Sequence, residues 1–132
     1  MASACVLRAS GDEFQTAEFL RESSFEPVNV FQKGERKAAS RTWNTSGITV
    51  NVSEADAFEE QVGDAIAFIE TNYAELQRLK ETVGVEGFEL DFGVNGKDSF
   101  IQSYVFTSEL TRLAGEISLA LEISIYAGGI AA

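Results

Sequence analysis

Residues 48–94 read ITVNVSEADAFEEQVGDAIAFIETNYAELQRLKETVGVEGFELDFGV, and they place a helical pattern between two strand patterns. In the central part, apolar residues recur at steps of three and four, which predicts one apolar stripe along an amphipathic helix. The stripe comprises Phe58, Val62, Ala65, Ile66, Ile69, Tyr73, Leu76 and Val83. Ser53 as the N-cap and Gly84 near the end predict one long helix. Because the stripe is broad and stops after about four heptads, packing on a sheet is favoured over a coiled coil.

Strand patterns lie on both sides of this helix. Residues 40–52, SRTWNTSGITVNV, predict a hairpin with its turn at residues 44–47. Residues 88–94 alternate between apolar and polar side chains, and the turn pair Asn95-Gly96 predicts a second hairpin, with FIQSYVF at residues 100–106 as the partner strand. CVLRA at residues 5–9 and LALEISIYA at residues 119–127 supply the first and last strands.

Two short helices complete the predicted fold. AEFLRE at residues 17–22 follows a cap at Asp12 or Thr16, and SELTRLAGE at residues 108–116 follows a cap at Thr107 or Ser108. SSFEPVNVFQKGE at residues 23–35 predicts an irregular connection. The sequence thus predicts a single α+β domain over residues 1–132, an antiparallel sheet of about five to six strands with one long amphipathic helix and two short helices packed on one face. Residues 127–132 are predicted to form a loose tail.

The chain is strongly acidic, with 21 Asp and Glu against 10 Lys and Arg and a formal net charge of −11. This field disfavours nucleic acid as a partner, because phosphate binding needs a dominant positive surface. The N-terminus lacks the basic and apolar segments of a signal peptide, and no window has the apolar length of a membrane span. The lone Cys5 fits a reducing compartment. We therefore expect a cytoplasmic protein with no membrane partner.

Composition also excludes several kinds of active site. The chain has no histidine, which removes His-based triads, proton shuttles and His metal sites. One Cys cannot form a structural zinc site, and there is no glycine-rich loop with phosphate-binding spacing. We therefore expect no cofactor and no metal, and we favour a protein that is not an enzyme.

A basic stretch, KGERKAASRTW at residues 33–43, stands out against this acidic background. It holds Lys33, Arg36, Lys37 and Arg41, four of the ten cations, and ends at the single tryptophan, Trp43. One interpretation places Trp43 in the core and leaves the cations in solvent, paired with nearby acids. The other interpretation is a basic binding lip with Trp43 as its apolar anchor, because Trp and Arg dominate binding hot spots. A mononucleotide or an acidic peptide would suit such a lip.

Carboxylates remain available for acid–base chemistry. Strand alternation predicts that Glu89, Asp91 and Glu122 share the exposed face of the sheet, with Arg8 as their counter-ion. These side chains serve either to solvate the face or to form an acidic binding or catalytic surface.

The order of these segments resembles domain-of-unknown-function family 4279, a family of small, mostly bacterial proteins. The resemblance rests on a first strand, a short helix ending before FEP at residues 25–27, the KGE turn at residues 33–35, and Trp43 at the start of a strand. The amphipathic helix and the closing strand EISIYA at residues 122–127 follow. The resemblance implies an α+β fold and no established activity, and it supplies no catalytic residue.

Our leading hypothesis from the sequence is a non-enzymatic binding or interaction module, in an immunity-like role or a related one. Its binding residues would be Lys33, Arg36, Lys37, Arg41 and Trp43. Its partner would be a protein or a small anionic ligand. The alternative is a small-molecule enzyme that uses carboxylates on the exposed sheet face, and a third reading is a homo-oligomer built through sheet edges or the long helix.

Overall fold

A computed structural model describes residues 4–38, 41–96 and 101–127 of the chain. Its strands are β1 (Cys5–Gly11), β2 (Asn29–Phe31), β3 (Arg36–Ala38), β4 (Arg41–Thr42), β5 (Ser46–Ser53), β6 (Gly87–Asn95) and β7 (Ala120–Tyr126). Its helices are α1 (Thr16–Arg21), α2 (Phe58–Thr71), α3 (Tyr73–Lys80) and α4 (Ser108–Glu116). The fold is α+β, as predicted. Beyond Ala127, the predicted loose tail lies outside the described residues.

Five strands form one mixed sheet in the order β2-β5-β1-β6-β7. The central strand β1 pairs antiparallel with β5 and β6, and β2 pairs antiparallel with β5. The predicted purely antiparallel sheet is wrong at β7, which pairs parallel with β6. The connection over residues 96–119 includes α4, and a long crossover of this kind returns the chain to the starting end of β6, as a parallel pair requires.

The helices cover one face of the sheet and leave the other open. Cys5, Leu7 and Ala9 of β1 are fully buried in a core cluster that includes side chains from all four helices. Burial of each large apolar side chain in such a core contributes about 1.5–3 kcal/mol. Arg8 lies between these residues on the opposite face, which we call the open face. Its neighbours there are Thr49, Glu89, Asp91, Glu122 and Ser124.

The single long helix that the sequence predicts is instead two helices. α2 ends at Thr71 and α3 begins at Tyr73, and Asn72 between them has φ −113° and ψ 23°. The Asn72 side-chain amide donates to the Phe68 carbonyl at 2.9 Å, a local bond that competes with regular helix geometry. Val83, a member of the predicted stripe, lies beyond α3 and is 87% exposed.

The predicted start of that helix is also wrong. Ser53 is the last residue of β5, and its hydroxyl donates to Asp64 at 2.6 Å. α2 begins at Phe58, after Ala57, and no side chain caps it. Ser53 therefore ties the end of the strand to the helix rather than starting the helix.

The predicted N-cap is confirmed for one of the two short helices, α4, and wrong for the other, α1. At α4, the Thr107 hydroxyl accepts from the Leu110 backbone N–H at 3.3 Å, which confirms the predicted cap. At α1, the N-cap residue is Gln15 and makes no side-chain cap bond, so neither Asp12 nor Thr16 caps that helix.

Both predicted hairpins are wrong, because turn chemistry is local whereas strand pairing is not. Residues 41–42 pair with β3 rather than with β5. Residues 101–107 form no strand, and Phe100 lies outside the described residues. The predicted irregular connection at residues 23–35 contains strand β2. Within the described ranges, no helix has both the length and the apolar character needed to cross a membrane.

Candidate functional site

The basic stretch forms a small arm that directly follows β2. We call residues 33–43 the basic arm, of which residues 33–38 and 41–43 are described. The Gly34 N–H donates to the Trp43 carbonyl and the Trp43 N–H donates to the Glu35 carbonyl, each at 2.9 Å. Gly34 has φ +91°, in the left-handed region that favours glycine, so the chain reverses sharply at this point.

An aromatic stack fixes the arm to the sheet. Trp43 stacks on Phe31, with ring centroids 3.9 Å apart and ring planes 17° apart. Phe31 in turn covers the bare backbone of Gly47, where an added Cβ would lie 2.4 Å from Phe31 Cζ. The Lys37 ammonium lies over the Trp43 ring, 4.7 Å from its centroid. Because Phe31 occupies one face of the indole, the Lys37 ammonium lies over the other face. We call Gly47, Phe31, Trp43 and Lys37 the aromatic column.

This column stands on the open face. Gly47 pairs with Ser10 of β1 and with Phe31 of β2, and Ser10 points to the same side as Arg8 because the two are two residues apart in one strand. Phe31 is buried but lies outside the core cluster. Trp43 is half-buried. It is therefore neither a core side chain nor a freely exposed one, and it joins the arm to the sheet.

The arm presents its cations to solvent. Lys33, Arg36, Lys37 and Arg41 are all exposed. The Lys33 ammonium lies 3.8 Å from an Asp12 carboxylate oxygen, and since both side chains are more than half exposed, this pair contributes at most about 1 kcal/mol. Within the described residues, no ion pair joins Arg36 or Arg41 to a carboxylate. The five predicted site residues thus share one arm, and two of its guanidinium groups lack an acidic partner there.

Carboxylates gather at the opposite edge of the open face. Arg8 lies 3.1 Å from Asp91, 3.6 Å from Glu122 and 3.9 Å from Glu89, measured between guanidinium nitrogens and carboxylate oxygens. The Ser124 hydroxyl donates to Asp91 at 2.7 Å. The predicted grouping, with Arg8 as counter-ion, is confirmed. We call Glu89, Asp91 and Glu122 the acidic cluster, which carries more negative charge than one guanidinium offsets.

The pKa of one carboxyl group in the acidic cluster, that of Glu89, is shifted, chiefly by burial. Burial raises the pKa of Glu89 above its ordinary value of 4.5, Arg8 lowers it, and Glu122 and Asp91 raise it further. The net direction is upward, so Glu89 holds a proton more readily than a free carboxyl group does. An added cation near Glu89 would counteract this effect.

Two grooves lie away from both charged regions. One, of about 560 Å³, lies between the start of α2 and the end of β6 and is lined by Phe58, Val94 and Tyr104 among others. The other, of about 460 Å³, lies beside α1 and is lined by Phe19 and Arg78 among others. Neither groove is lined by the basic arm or the acidic cluster. In the described part of the chain, no group of three or more Cys, Asp and Glu side chains is arranged to hold a metal ion.

Comparison of the sequence with known protein families identifies the family of this chain. The sequence profile of one family, described as "Domain of unknown function (DUF4279)", matches residues 1–128. The chain belongs to this family. No curated protein and no solved structure matches the chain. The DUF4279 match spans both the basic arm and the acidic cluster, and its description assigns no activity to either.

In this DUF4279 protein, sequence reasoning identified the cations and Trp43 but missed the residues beneath them. Phe31 fell in a predicted irregular connection, and Gly47 was interpreted as a turn residue. A usable signal was available, because Gly47 directly precedes the strand-forming run at residues 48–52, and a strand glycine often marks a close approach of another group.

Proposed function

We propose that this protein is a binding module that recognises an acidic surface of a protein partner through its basic arm. The observation that carries this proposal is that Arg36 and Arg41 are exposed and have no carboxylate partner among the described residues, on an arm that the aromatic column joins to the sheet. A guanidinium group suits carboxylates because it donates two parallel hydrogen bonds. An arm that is already ordered loses less conformational entropy on binding. An immunity-like role, with a toxin as the partner, is one form that this function would take.

The aromatic column favours a carboxylate partner over a nucleotide. Base recognition by this arm would use Trp43 as a stacking platform. However, Phe31 covers one face of the indole and Lys37 lies over the other, so a base would have to displace Lys37. Long nucleic acid also meets the net charge of −11.

The alternative function, a small-molecule enzyme acting through the acidic cluster, has one supporting observation, the raised pKa of Glu89. Against it, Arg8 contacts all three carboxylates of the cluster. Acid–base catalysis also needs a substrate held within hydrogen-bond reach, and neither of the two grooves includes these residues. We therefore favour the binding module.

The proposal is tested with a fluorescently labelled oligoglutamate peptide, whose binding is followed by anisotropy and by the emission of Trp43, the single tryptophan. We expect Arg41→Glu to weaken binding by about tenfold or more, which corresponds to about 1.4 kcal/mol. The matched control is Lys80→Glu, which makes the same change in net charge at the end of α3.

The control decides between a local site and a global charge effect. Unchanged affinity in Lys80→Glu together with weak binding in Arg41→Glu would support a site on the arm. Equal losses in both variants, or no peptide binding by the wild-type monomer, would contradict the proposal. Affinity capture from a lysate, wild type beside Arg41→Glu, would then identify the natural partner by mass spectrometry.

A further inference from the structure

We propose that the acidic surface bound by the basic arm is the acidic cluster of a second copy of this chain, in a reciprocal dimer that stacks the two open faces. This inference rests on the proposed function, because it uses the same arm as the binding element and names its partner. It extends that function by giving the open face of the sheet a role of its own.

The two charged regions share one face but stand at opposite edges of it. The aromatic column rises over β2 and β5, and the acidic cluster lies on β6 and β7, with β1 between them. Because neighbouring strands are about 4.8 Å apart, the two regions of one chain are separated by about 10–15 Å. Within the described residues, no ion pair connects them. The arm and the cluster of one molecule therefore do not satisfy each other.

A two-fold axis resolves this separation. If the axis runs parallel to the strands, midway between two facing sheets, β2 of one copy lies over β7 of the other. The column stands level with Ser10, whereas the acidic cluster lies level with Arg8 and Val6, about 7–13 Å further along the strands. The long cationic side chains of each arm therefore reach along the strands to the acidic cluster of the partner, and the contact occurs twice. Such a contact uses the same surface on both subunits, so the assembly closes at two copies and does not grow into a fibre.

Charge and area are both compatible with this arrangement. The described arm carries four cations and one acid, Glu35, whereas the acidic cluster carries three carboxylates against Arg8, so each contact joins opposite net charges. Repulsion between two chains of net charge −11 opposes approach, but salt at about 0.15 M screens it beyond about 8 Å and affects close pairs less. The open face has four strands of seven to nine residues and β2 of three, and it covers at most about 24 by 23 Å, or roughly 550 Å². This flat footprint is about two-thirds of the roughly 800 Å² per partner of a stable interface, and the accessible surface of the side chains on the face exceeds their flat projection.

A charge exchange between two variants tests the dimer. The variants are Arg41→Glu on the arm and Glu122→Lys on the cluster, and the mass in solution is measured by sedimentation velocity at about 0.15 M salt. The Glu122 side chain is 51% exposed, so we expect both variants to fold, which circular dichroism checks. We expect a wild-type dimer, two monomeric variants, and recovery of the dimer when the variants are mixed in equal amounts.

Recovery on mixing has a specific physical reason. In the mixed pair, the new carboxylate of Arg41→Glu meets the new ammonium group of Glu122→Lys, and the unaltered arm meets the unaltered cluster. Opposite charges then face each other at both contacts, whereas in each variant alone the substituted side chain faces a group of its own sign: the new carboxylate faces Glu122, and the new ammonium group faces Arg41. The control mixture of Lys80→Glu with Glu122→Lys has the same net charges but keeps only one of the two attractive contacts, so its dimer of the two different variants should be weaker than that of the test mixture.

Three results would overturn the inference: a wild type that stays monomeric, variants that dimerise as well as the wild type, or a mixture that does not recover. Should either variant fail to fold, Glu122→Gln and Arg41→Gln replace the pair, and each should weaken the dimer at least about tenfold. If the wild type binds oligoglutamate through Arg41 but remains monomeric, this inference fails and the proposed function stands. If it neither binds the peptide nor dimerises, both fail.

Discussion

Gly47 offers a direct test of the aromatic column, through the substitution Gly47→Ala. An added Cβ would lie 2.4 Å from Phe31 Cζ, 2.8 Å from Phe31 Cε2 and 2.5 Å from the Ala9 carbonyl oxygen. The Phe31 ring can swing away, although that would break its stack with Trp43. The Ala9 oxygen belongs to the backbone of the central strand and cannot move without disturbing pairing on both sides.

The expected cost follows from these contacts. Overpacking of this kind costs about 1–3 kcal/mol, while replacing glycine by alanine within an ordinary strand or helix gains about 0.5–1 kcal/mol. We therefore expect a net loss of about 1–2 kcal/mol in the free energy of unfolding. For a chain of this length, that corresponds to a fall in Tm of about 3–10 °C.

The matched control is Gly63→Ala in the middle of α2, where an added Cβ meets nothing within 4 Å. This variant should gain up to about 1 kcal/mol, because alanine favours a helix more than glycine does. Both variants are compared with the wild type by urea unfolding, followed by circular dichroism and by Trp43 emission. A Gly47→Ala protein as stable as the wild type, with unchanged emission, would refute the account of the column.

Two further predictions concern ionisable groups in other parts of the fold. Glu75 accepts hydrogen bonds from Arg78 at 2.7 Å and from the Ser23 hydroxyl, and these bonds hold its pKa below the ordinary value of 4.5. Because the folded-state pKa is lowered, Glu75→Gln should reduce the free energy of unfolding by about 1 kcal/mol at neutral pH. The difference between this variant and the wild type in urea unfolding should shrink as the pH falls below about 4.5, because Glu75 then becomes protonated. A difference that persists at pH 2 would contradict this prediction. Burial, with Asp91 and Asp64 nearby, raises the pKa of Cys5 from 9.0 to about 12, which lowers its thiolate fraction about a thousandfold at neutral pH. Native protein should therefore react with an aromatic disulfide reagent only as fast as it unfolds, and rapid labelling without urea would show that Cys5 is accessible.

The part of the fold that could be predicted follows from the alternation of apolar and polar side chains along single strands. The pattern around β6 assigned Leu90 to one face and Glu89 to the other, with Arg8 as a counter-ion beside Glu89, and the structure confirms this. The acidic cluster followed from it without any knowledge of strand order, because side chains alternate between the two faces in every strand.

Pairing between distant segments was what the sequence did not reveal. A turn signal such as Asn95-Gly96 favours a hairpin locally, but the partners of β6 are β1 and β7, which are far away along the chain. The break at Asn72 was equally hidden, because apolar periodicity continues on both sides of it. The candidate site likewise has a part that the sequence shows and a part that it does not. The cations can be read from the sequence, whereas the contact between Phe31 and Gly47 depends on pairing between β2 and β5.

The central position of β1 has a consequence for the order in which the chain folds. β1 lies in the middle of the sheet, and both of its partners come later along the chain, at residues 46–53 and 87–95. The pairing of β1 on its second side therefore cannot form until residues 87–95 have been synthesised. Pairings of such long sequence separation form slowly, in milliseconds to seconds, and expose the chain to aggregation during that time. The high negative charge would then protect the nascent chain, because unfinished copies repel one another before the core has closed.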